Sequence, residues 1–574
     1  LIVRIRFFLF SGIVFLSSLA LFRCANPVSP EGGPRDITSP KVLSCIPPNF
    51  SIQFSSPDIR ITFNEFIALK SPTSEIFISP PLEERPEYKL RGKTLLIDFE
   101  KPPDSNTTYI INFGQSISDI TEGNILLGYR YVFSTGLYID SLSLNGKVIN
   151  AFDNQPVPDA FAELYLDNND TIPFDSLPYL VPPIYLTETD KQGMFSFSNL
   201  RPGNYKLIIL EDKSGDLIYN MPAERIAFAD SLVSPWYIPP LQPEADSAVQ
   251  DSLPPAPLPA HPELVLKMFE ETDSTQEVVK AELVTNNLFR IIYKFPPQTP
   301  EIIPLNLDSS VAWCMQEFSR NKDTLILFST TELPDTLILK ICDGELVVDT
   351  AEIAPTRVAE SKRPKKKEEE EKPEQLQITW NARNIYNYVK QPLIGRVSYP
   401  LASYDLSKIQ LISEGDSMVP SIEFTDSLER HFKVGFSWKE GTQYKLVIPD
   451  STLLSYNGLY NGLTMYTFKT VALRDLGSLL LNIDLSEKPG SYIIQLLSDK
   501  GVAVEEQYLS ESGQVKFPFI APATYTVKAI LDTNHNKRWD TGDYLKKIQP
   551  EAVFFFSKPL DIRGNWDVEE EWKL

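Results

Sequence analysis

The chain has 574 residues, 42% hydrophobic and 11% aromatic, which excludes a disordered protein and exceeds what a single core organises. Its 76 acidic and 54 basic residues leave a net charge of −22, which disfavours nucleic acid or anionic lipid, both polyanions, as a partner. Only three histidines occur, His261, His431 and His535, so far apart that spacing assembles neither a catalytic triad nor a histidine metal site.

Arg4 and Arg6 precede an apolar run from Phe7 to Phe22, and Arg23 and Cys24 follow. Pro27, Pro30, Gly32, Gly33 and Pro34 come next and rule out a regular element. A short basic segment, an apolar run too short for a comfortable bilayer span, and a cysteine at the join read as a secretory signal. The segment resembles bacterial lipoprotein signals: Leu21 matches the usual leucine, while Phe22 and Arg23 depart from the small residues found before the cysteine. The resemblance implies a signal peptide over 1–23, acylation of Cys24 and a tether over 24–40. An uncleaved anchor, or a cleaved signal in which Cys24 is incidental, are the alternatives. It also implies a lipid-anchored outer-membrane protein, placed at the cell surface, with the periplasmic face left open.

From residue 41 onward the pattern is all-β, with short alternating strands between turn signals. The 47 prolines, about 8% against an average of about 5%, gather in turns and linkers. In residues 41–136, Ile59-Arg60-Ile61-Thr62-Phe63-Asn64 opens a strand, Thr108-Tyr109-Ile110-Ile111 follows, and Tyr131-Val132-Phe133-Ser134-Thr135 closes the unit after a turn from Asp119 to Asn124. This resembles the bacterial Ig-like domain of surface-layer proteins and lipoproteins, which implies a β-sandwich. Residues 138–235 carry Asp190-Lys191-Gln192-Gly193, then Phe195 and Phe197 on one strand face, then Pro202-Gly203 and Tyr205. They resemble the transthyretin-like, or carboxypeptidase regulatory-like, domain, which implies a non-catalytic accessory module.

Residues 236–262 are proline-rich and read as a semi-rigid linker. Residues 263–355 form a third β unit of no recognised family, with Asp-Thr-Leu-Ile-Leu at both 323–327 and 335–339. Residues 356–376, basic then acidic, read as a solvated linker. The frame then repeats. Tyr109 to Thr135 and Tyr444 to Thr470 both span 26 residues, which makes 377–471 a second Ig-like unit. Gly193 to Tyr205 and Gly513 to Tyr525 both span 12, which makes 472–574 a second transthyretin-like unit. Tandem β-sandwiches behind a lipoprotein signal are therefore the expected architecture.

Three features carry chemistry. Cys24 is the lipidation site. Cys314 and Cys342 fall in one β unit and either pair as a disulfide in an oxidising compartment or remain buried thiols. Residues 532–543 place Asp532, Asn534, Asn536, Asp540 and Asp543 at alternate loop positions, with Arg538 offering its carbonyl. Ca²⁺ takes six to eight oxygens, and alternate residues of a tight loop turn inward together. Lys537 stands where a calcium loop has glycine, and Asp543 is shorter than the usual glutamate. The alternative is a hairpin tip stabilised by its own side chains.

No catalytic constellation is present in the sequence, so the expectation is a non-enzymatic structural or interaction subunit. By resemblance its partners are outer-membrane β-barrel proteins and other lipoproteins, the β-barrel assembly machinery being the sharpest version, with the membrane reached through the lipid anchor. A surface carbohydrate- or peptide-binding lipoprotein is the alternative, with Trp236, Tyr237, Tyr456, Tyr460 and Trp539 as stacking candidates.

Overall fold

The computed structural model describes residues 36–166, 172–221, 223–237, 264–272, 275–285, 287–307, 312–354 and 374–574. Cys24, the tether before residue 36 and most of both linkers lie outside the described residues. The protein is all-β, and among the described residues helix is confined to short turns such as Pro72–Glu75 and Leu177–Leu180. The chain separates into two compact units, one of residues 1–150 and 155–270, the other of 151–154 and 271–574.

The first unit holds two sandwiches. Alternation sends Ile59, Ile61 and Phe63 of strand Asp58–Phe63 inward, where all three are buried. They face Tyr109, Ile111, Tyr131 and Phe133 of the opposing sheet, with Tyr109 stacked on Phe133 at 5.3 Å. The two sheets run Val42–Ile46, Asp58–Phe63, Thr94–Asp98, Glu87–Arg91, and Phe77–Ser79, Thr108–Asn112, Arg130–Ser134. The Asp119 carboxylate accepts the backbone N–H groups of Glu122, Gly123 and Asn124, which sets the expected turn.

The second sandwich shares a core with the first: Ile110 and Val132 pack with Leu144, Val148, Phe195 and Leu207. Phe77 meets Phe161 edge-on at 5.5 Å, and the Leu186 N–H donates to Ser79 Oγ. Its boundary differs from the sequence reading. Strand Leu264–Glu270, assigned above to the third unit, completes this sheet instead. It lies parallel to Leu142–Asn150, with Gly146 opposite Leu264, and antiparallel to Arg225–Phe228. Trp236 and Tyr237 pair with Ser143 and Leu142 on the same strand. Both ends of the proline-rich stretch therefore attach to one strand, and the stretch is an excursion within a domain rather than a link between two. Composition marks such a segment as irregular but says nothing about where the chain returns.

In the second unit the third sandwich stacks Val278–Thr285, Leu288–Tyr293, Thr324–Ser329 and Cys314–Phe318 against Pro300–Pro304, Leu337–Asp343 and Leu346–Ile353. The twin Asp-Thr-Leu-Ile-Leu segments fall in opposite sheets and bury the same positions, Leu325 and Leu327 against Leu337 and Leu339. Phe328 of this sandwich joins the core of the fourth. Beside it Arg430 is buried, donates to the carbonyls of Val397 and Ser398, pairs with Glu317 and lies 4.5 Å from the Phe328 ring.

The fourth sandwich repeats the first in its hydrogen bonds as well as its spacing. Tyr109 Oη accepts the Asp104 N–H, and Tyr444 Oη accepts the Lys439 N–H. Thr135 and Thr470 take the N–H groups of Thr107 and Thr442 at 3.0 and 2.9 Å. The fifth repeats the second: Gly477–Asp484 pairs antiparallel with Gly513–Ile520 and parallel with Asp567–Lys573, as Leu142–Asn150 does with Met194–Leu200 and Leu264–Glu270. Tyr205 Oη donates to the Arg201 carbonyl and Tyr525 Oη to that of Ala521.

Candidate functional site

The loop after strand Ala523–Leu531 gathers four of the six expected residues. Asp532, nearly fully buried, accepts the N–H groups of Asn536 and Lys537 at 3.1 and 3.0 Å. Asn534 Oδ1 accepts the Asn536 N–H, and Asn536 Oδ1 accepts that of Arg538. Asp540 Oδ2 receives the side-chain amides of Asn534 and Asn536. Lys537, with φ 64°, adopts the left-handed conformation that a glycine would take.

Of the other two, Asp543 is engaged elsewhere, while Arg538 is expected to offer only its backbone carbonyl and its side chain stands apart. Asp543 turns to Lys546, accepting its N–H at 2.9 Å and its Nζ at 2.7 Å, and that contact holds the carboxyl below its ordinary range. Arg538 is exposed, its Nε 3.5 Å from Asp540 Oδ1. Asp543 is therefore removed from the candidate ligands: its own short hairpin, with Asp543 and Ile548 paired, captures it first.

A residue that spacing did not suggest organises the loop from below. Glu551 is buried; its Oε1 accepts Thr533 N–H and Oγ–H, and its Oε2 accepts the Asp540 N–H. Trp539 donates its indole N–H to the Glu551 carbonyl.

The second sandwich carries the same device, at Asp212, Ser214, Asp216 and Glu224. Asp212 accepts the N–H groups of Gly215 and Leu217 at 2.7 and 2.9 Å. Asp216 Oδ1 accepts that of Ile218, as Asn536 does that of Arg538, and Asp216 Oδ2 receives the Asn220 amide. Buried Glu224 takes the N–H groups of Lys213, Ser214, Asn220 and Met221. Gly215 and Leu217 have φ 79° and 59°; His535 and Lys537 have 61° and 64°. The signal was in the repeat: Gly193 to Asp212 and Gly513 to Asp532 are both 19 residues, seven beyond the tyrosine where the frame was last matched.

Within the second sandwich Glu163 is only 1% exposed. Its Oε2 accepts the Tyr165 hydroxyl at 2.9 Å, while Oε1 has no partner. Burial raises its carboxyl well above the ordinary range, and Asp212, Glu224 and Asp216 push in the same direction.

As chemistry, these loops are hydrogen-bond frames rich in oxygen. Among the described residues no group of three or more His, Cys, Asp or Glu side chains is arranged to hold a metal ion. Asp532, Asn534, Asn536 and Asp540 form a mixed carboxylate–amide set in which the two amide oxygens accept backbone N–H groups and the two amide nitrogens donate to Asp540.

Of the two alternatives for Cys314 and Cys342, the structure has the unpaired thiols. Cys314 and Cys342 are free thiols on opposing sheets of the third sandwich, and Cys45 is free as well. Burial pushes the Cys314 thiol up to about 11. His431 lies 3.6 Å from Asp426 and 3.8 Å from Glu317, and His535 stands in the exposed loop tip; His261 lies outside the described residues. Among the stacking candidates, Tyr456 packs between Phe328 and Tyr399 and Trp539 is held through Glu551, whereas Tyr237 and Tyr460 present exposed rings. No described helix is long and apolar enough to cross a membrane.

A family model for the bacterial Ig-like domain matches residues 36–135, the first sandwich. No curated protein matches the chain. Among solved structures, the TIE protein of Bacillus anthracis is 11% identical, with 95% of this chain and 75% of that one covered at a TM-score of 0.15. The S-layer protein SbsC is 12% identical over 91% of this chain and 67% of its own, at 0.14. BcpA, the major pilin subunit of Bacillus cereus, is 10% identical over 76% and 99%, also at 0.14. Scores this low establish neither a shared arrangement of domains nor a function.

Proposed function

We propose that the chain is a lipid-anchored, non-enzymatic scaffold of the outer membrane, acting as an interaction subunit of a membrane protein complex, with the β-barrel assembly machinery as the sharpest version. The observation that carries this reading is how the polar groups are used. Glu224, Glu551, Asp212 and Asp532 are committed to backbone N–H groups, and Arg430 to carbonyls and Glu317, so they hold loops and junctions in place. Shared cores between neighbouring sandwiches supply stiffness in each unit. The Leu21 to Cys24 segment supports the anchor.

Mass spectrometry of the mature N-terminus tests the anchor: an acylated Cys24 is expected, and an unmodified one overturns it. Extraction in mild detergent should co-purify a β-barrel protein, and a monodisperse monomer at native expression counts against the partner. Protease shaving of intact cells reports the face of the membrane. We assign Ca²⁺ as the ligand of the loop at Asp532, Asn534, Asn536 and Asp540; the melting temperature should rise with Ca²⁺ over chelator, and no shift removes the ion. The exposed rings of Tyr237 and Tyr460 favour a carbohydrate- or peptide-binding surface as the second reading, which a glycan or peptide array decides.

A further inference from the structure

We propose that the end of the first sandwich where the chain enters from the tether is a membrane-contacting rim that seats in the headgroup region of a phospholipid leaflet. The orientation it implies rests on the lipid anchor proposed above. Four apolar side chains stand out at this end: Ile37 is 83% exposed, Phe66 56%, Ile120 62% and Leu127 70%. Isolated exposed apolar residues are ordinary; what matters is that these are linked at one place. The Ile120 N–H donates to the Phe66 carbonyl at 3.3 Å. Asn124 Nδ2 donates to the Asp36 carbonyl at 3.0 Å, and Ser39 Oγ to that of Ile125 at 2.8 Å, which fixes Ile37 beside the loop bearing Ile120 and Leu127. The strand register agrees: Val42 lies opposite Phe63, Thr62 opposite Thr94 and Arg91 opposite Thr94, so the entering chain, the turn at Phe66 and the turn after Arg91 share one end.

Two observations select a bilayer as the occupant. The first is chain length. Cys24 precedes Asp36 by twelve residues, at most about 3.6 Å each when extended, so the anchor holds this end within roughly 40 Å of the leaflet. The second is charge. The chain carries −22 overall, yet here Lys41, Lys70, Arg91 and Lys93 stand with Asp36, Glu65, Asp119 and Glu122, four basic groups against four acidic, and the acidic excess is absent. Lys93 Nζ donates to the Asn64 carbonyl at 2.6 Å and lies 5.6 Å from the Phe66 ring centroid; Lys41 donates its N–H to Asn64 Oδ1. Lysines beside apolar tips are suited to an interface, where the stem lies in the apolar zone and the ammonium reaches phosphate.

The test uses residues 25–574, which keep every described residue and lack both leader and Cys24, floated with vesicles of phosphatidylethanolamine and phosphatidylcholine in equal parts. Flotation is expected. The double substitution Ile120→Ser/Leu127→Ser should lower the bound fraction about tenfold or more. Phe50→Ser/Leu137→Ser removes comparable apolar surface at the opposite end, near the Gln53–Gly136 contact, and should leave flotation unchanged. No flotation, or equal loss in both double variants with far-UV spectra intact, overturns the rim. The N-terminal mass separates this from the anchor: acylated Cys24 without flotation overturns the rim alone, and flotation with unmodified Cys24 supports the rim and overturns the anchor.

Discussion

The loops at Asp212–Glu224 and Asp532–Glu551 share one plan of hydrogen bonds, built with partly different donors. An aspartate at the strand end takes the N–H groups of the tip, and a buried glutamate downstream takes those of the loop base. The first loop uses Asp216 where the second uses Asn536, and the second adds Asp540. The sheet beneath differs too. Strand register matches Glu163, opposite Ile208, with Gln495, opposite Lys528. Gln495 donates its amide to Glu506, while Glu163 is buried with one oxygen unpartnered. The frame of such a loop is thus set by the carboxylates that accept backbone N–H groups, and the rest of its charge is free to vary.

Five substitutions break or sharpen this comparison. Glu224→Ala strands four backbone donors and should lower the stability of the first unit by about 3 kcal/mol or more. Glu551→Ala, which releases two backbone donors and a hydroxyl, should cost about 2–3 kcal/mol in the second. Urea unfolding of each variant measures both, and equal small losses would mean the glutamates do not organise the loops.

Glu163→Gln installs the residue of the other copy. In the unfolded chain a glutamate ionises above about pH 4.3, whereas burial keeps Glu163 protonated to higher pH. Above that point the unfolded state binds fewer protons, so this carboxyl's contribution falls as pH rises. Relative to the parent, the variant should gain on the order of 1 kcal/mol between pH 4 and neutrality. A pH series of urea midpoints with parallel curves for parent and variant would refute this.

Asp540→Asn should abolish the Ca²⁺-dependent rise in melting temperature while changing the calcium-free midpoint by less than about 1 kcal/mol. Calorimetry with Ca²⁺ and with chelator reads both. The smallest effect belongs to Lys537→Gly, which relieves a left-handed φ of 64° at the expense of a more flexible unfolded chain, for a net gain of about 0.5 kcal/mol.

Alternation alone marked the strand that carries Ile59, Ile61 and Phe63, which the structure buries, and the 26-residue interval located a repeat that the structure extends to matching tyrosine and threonine hydrogen bonds. These were legible because each depends on local period or fixed spacing. Leu264–Glu270 was not, because its partner strand lies more than a hundred residues upstream and nothing in its own pattern names it. Glu224 and Glu551 escaped notice because their partners are backbone groups, which leave no residue type to search for. Asp543 satisfied the loop pattern but lost to a nearer cation, Lys546.

The parallel pairing of first and last strands in the second and fifth sandwiches has a mechanical meaning. A chain anchored as proposed above would bear load along its length. Where Leu142–Asn150 enters and Leu264–Glu270 leaves, tension pulls two parallel strands past each other, so that all the ladder bonds from Gly146 to Asn150 resist at once. Gly477–Asp484 and Asp567–Lys573 repeat this shear arrangement over seven residue pairs. A hairpin at the same place would unzip one bond at a time. These two domains are thus wired as clamps, and drawn from their terminal strands they should give way only when the whole ladder breaks together.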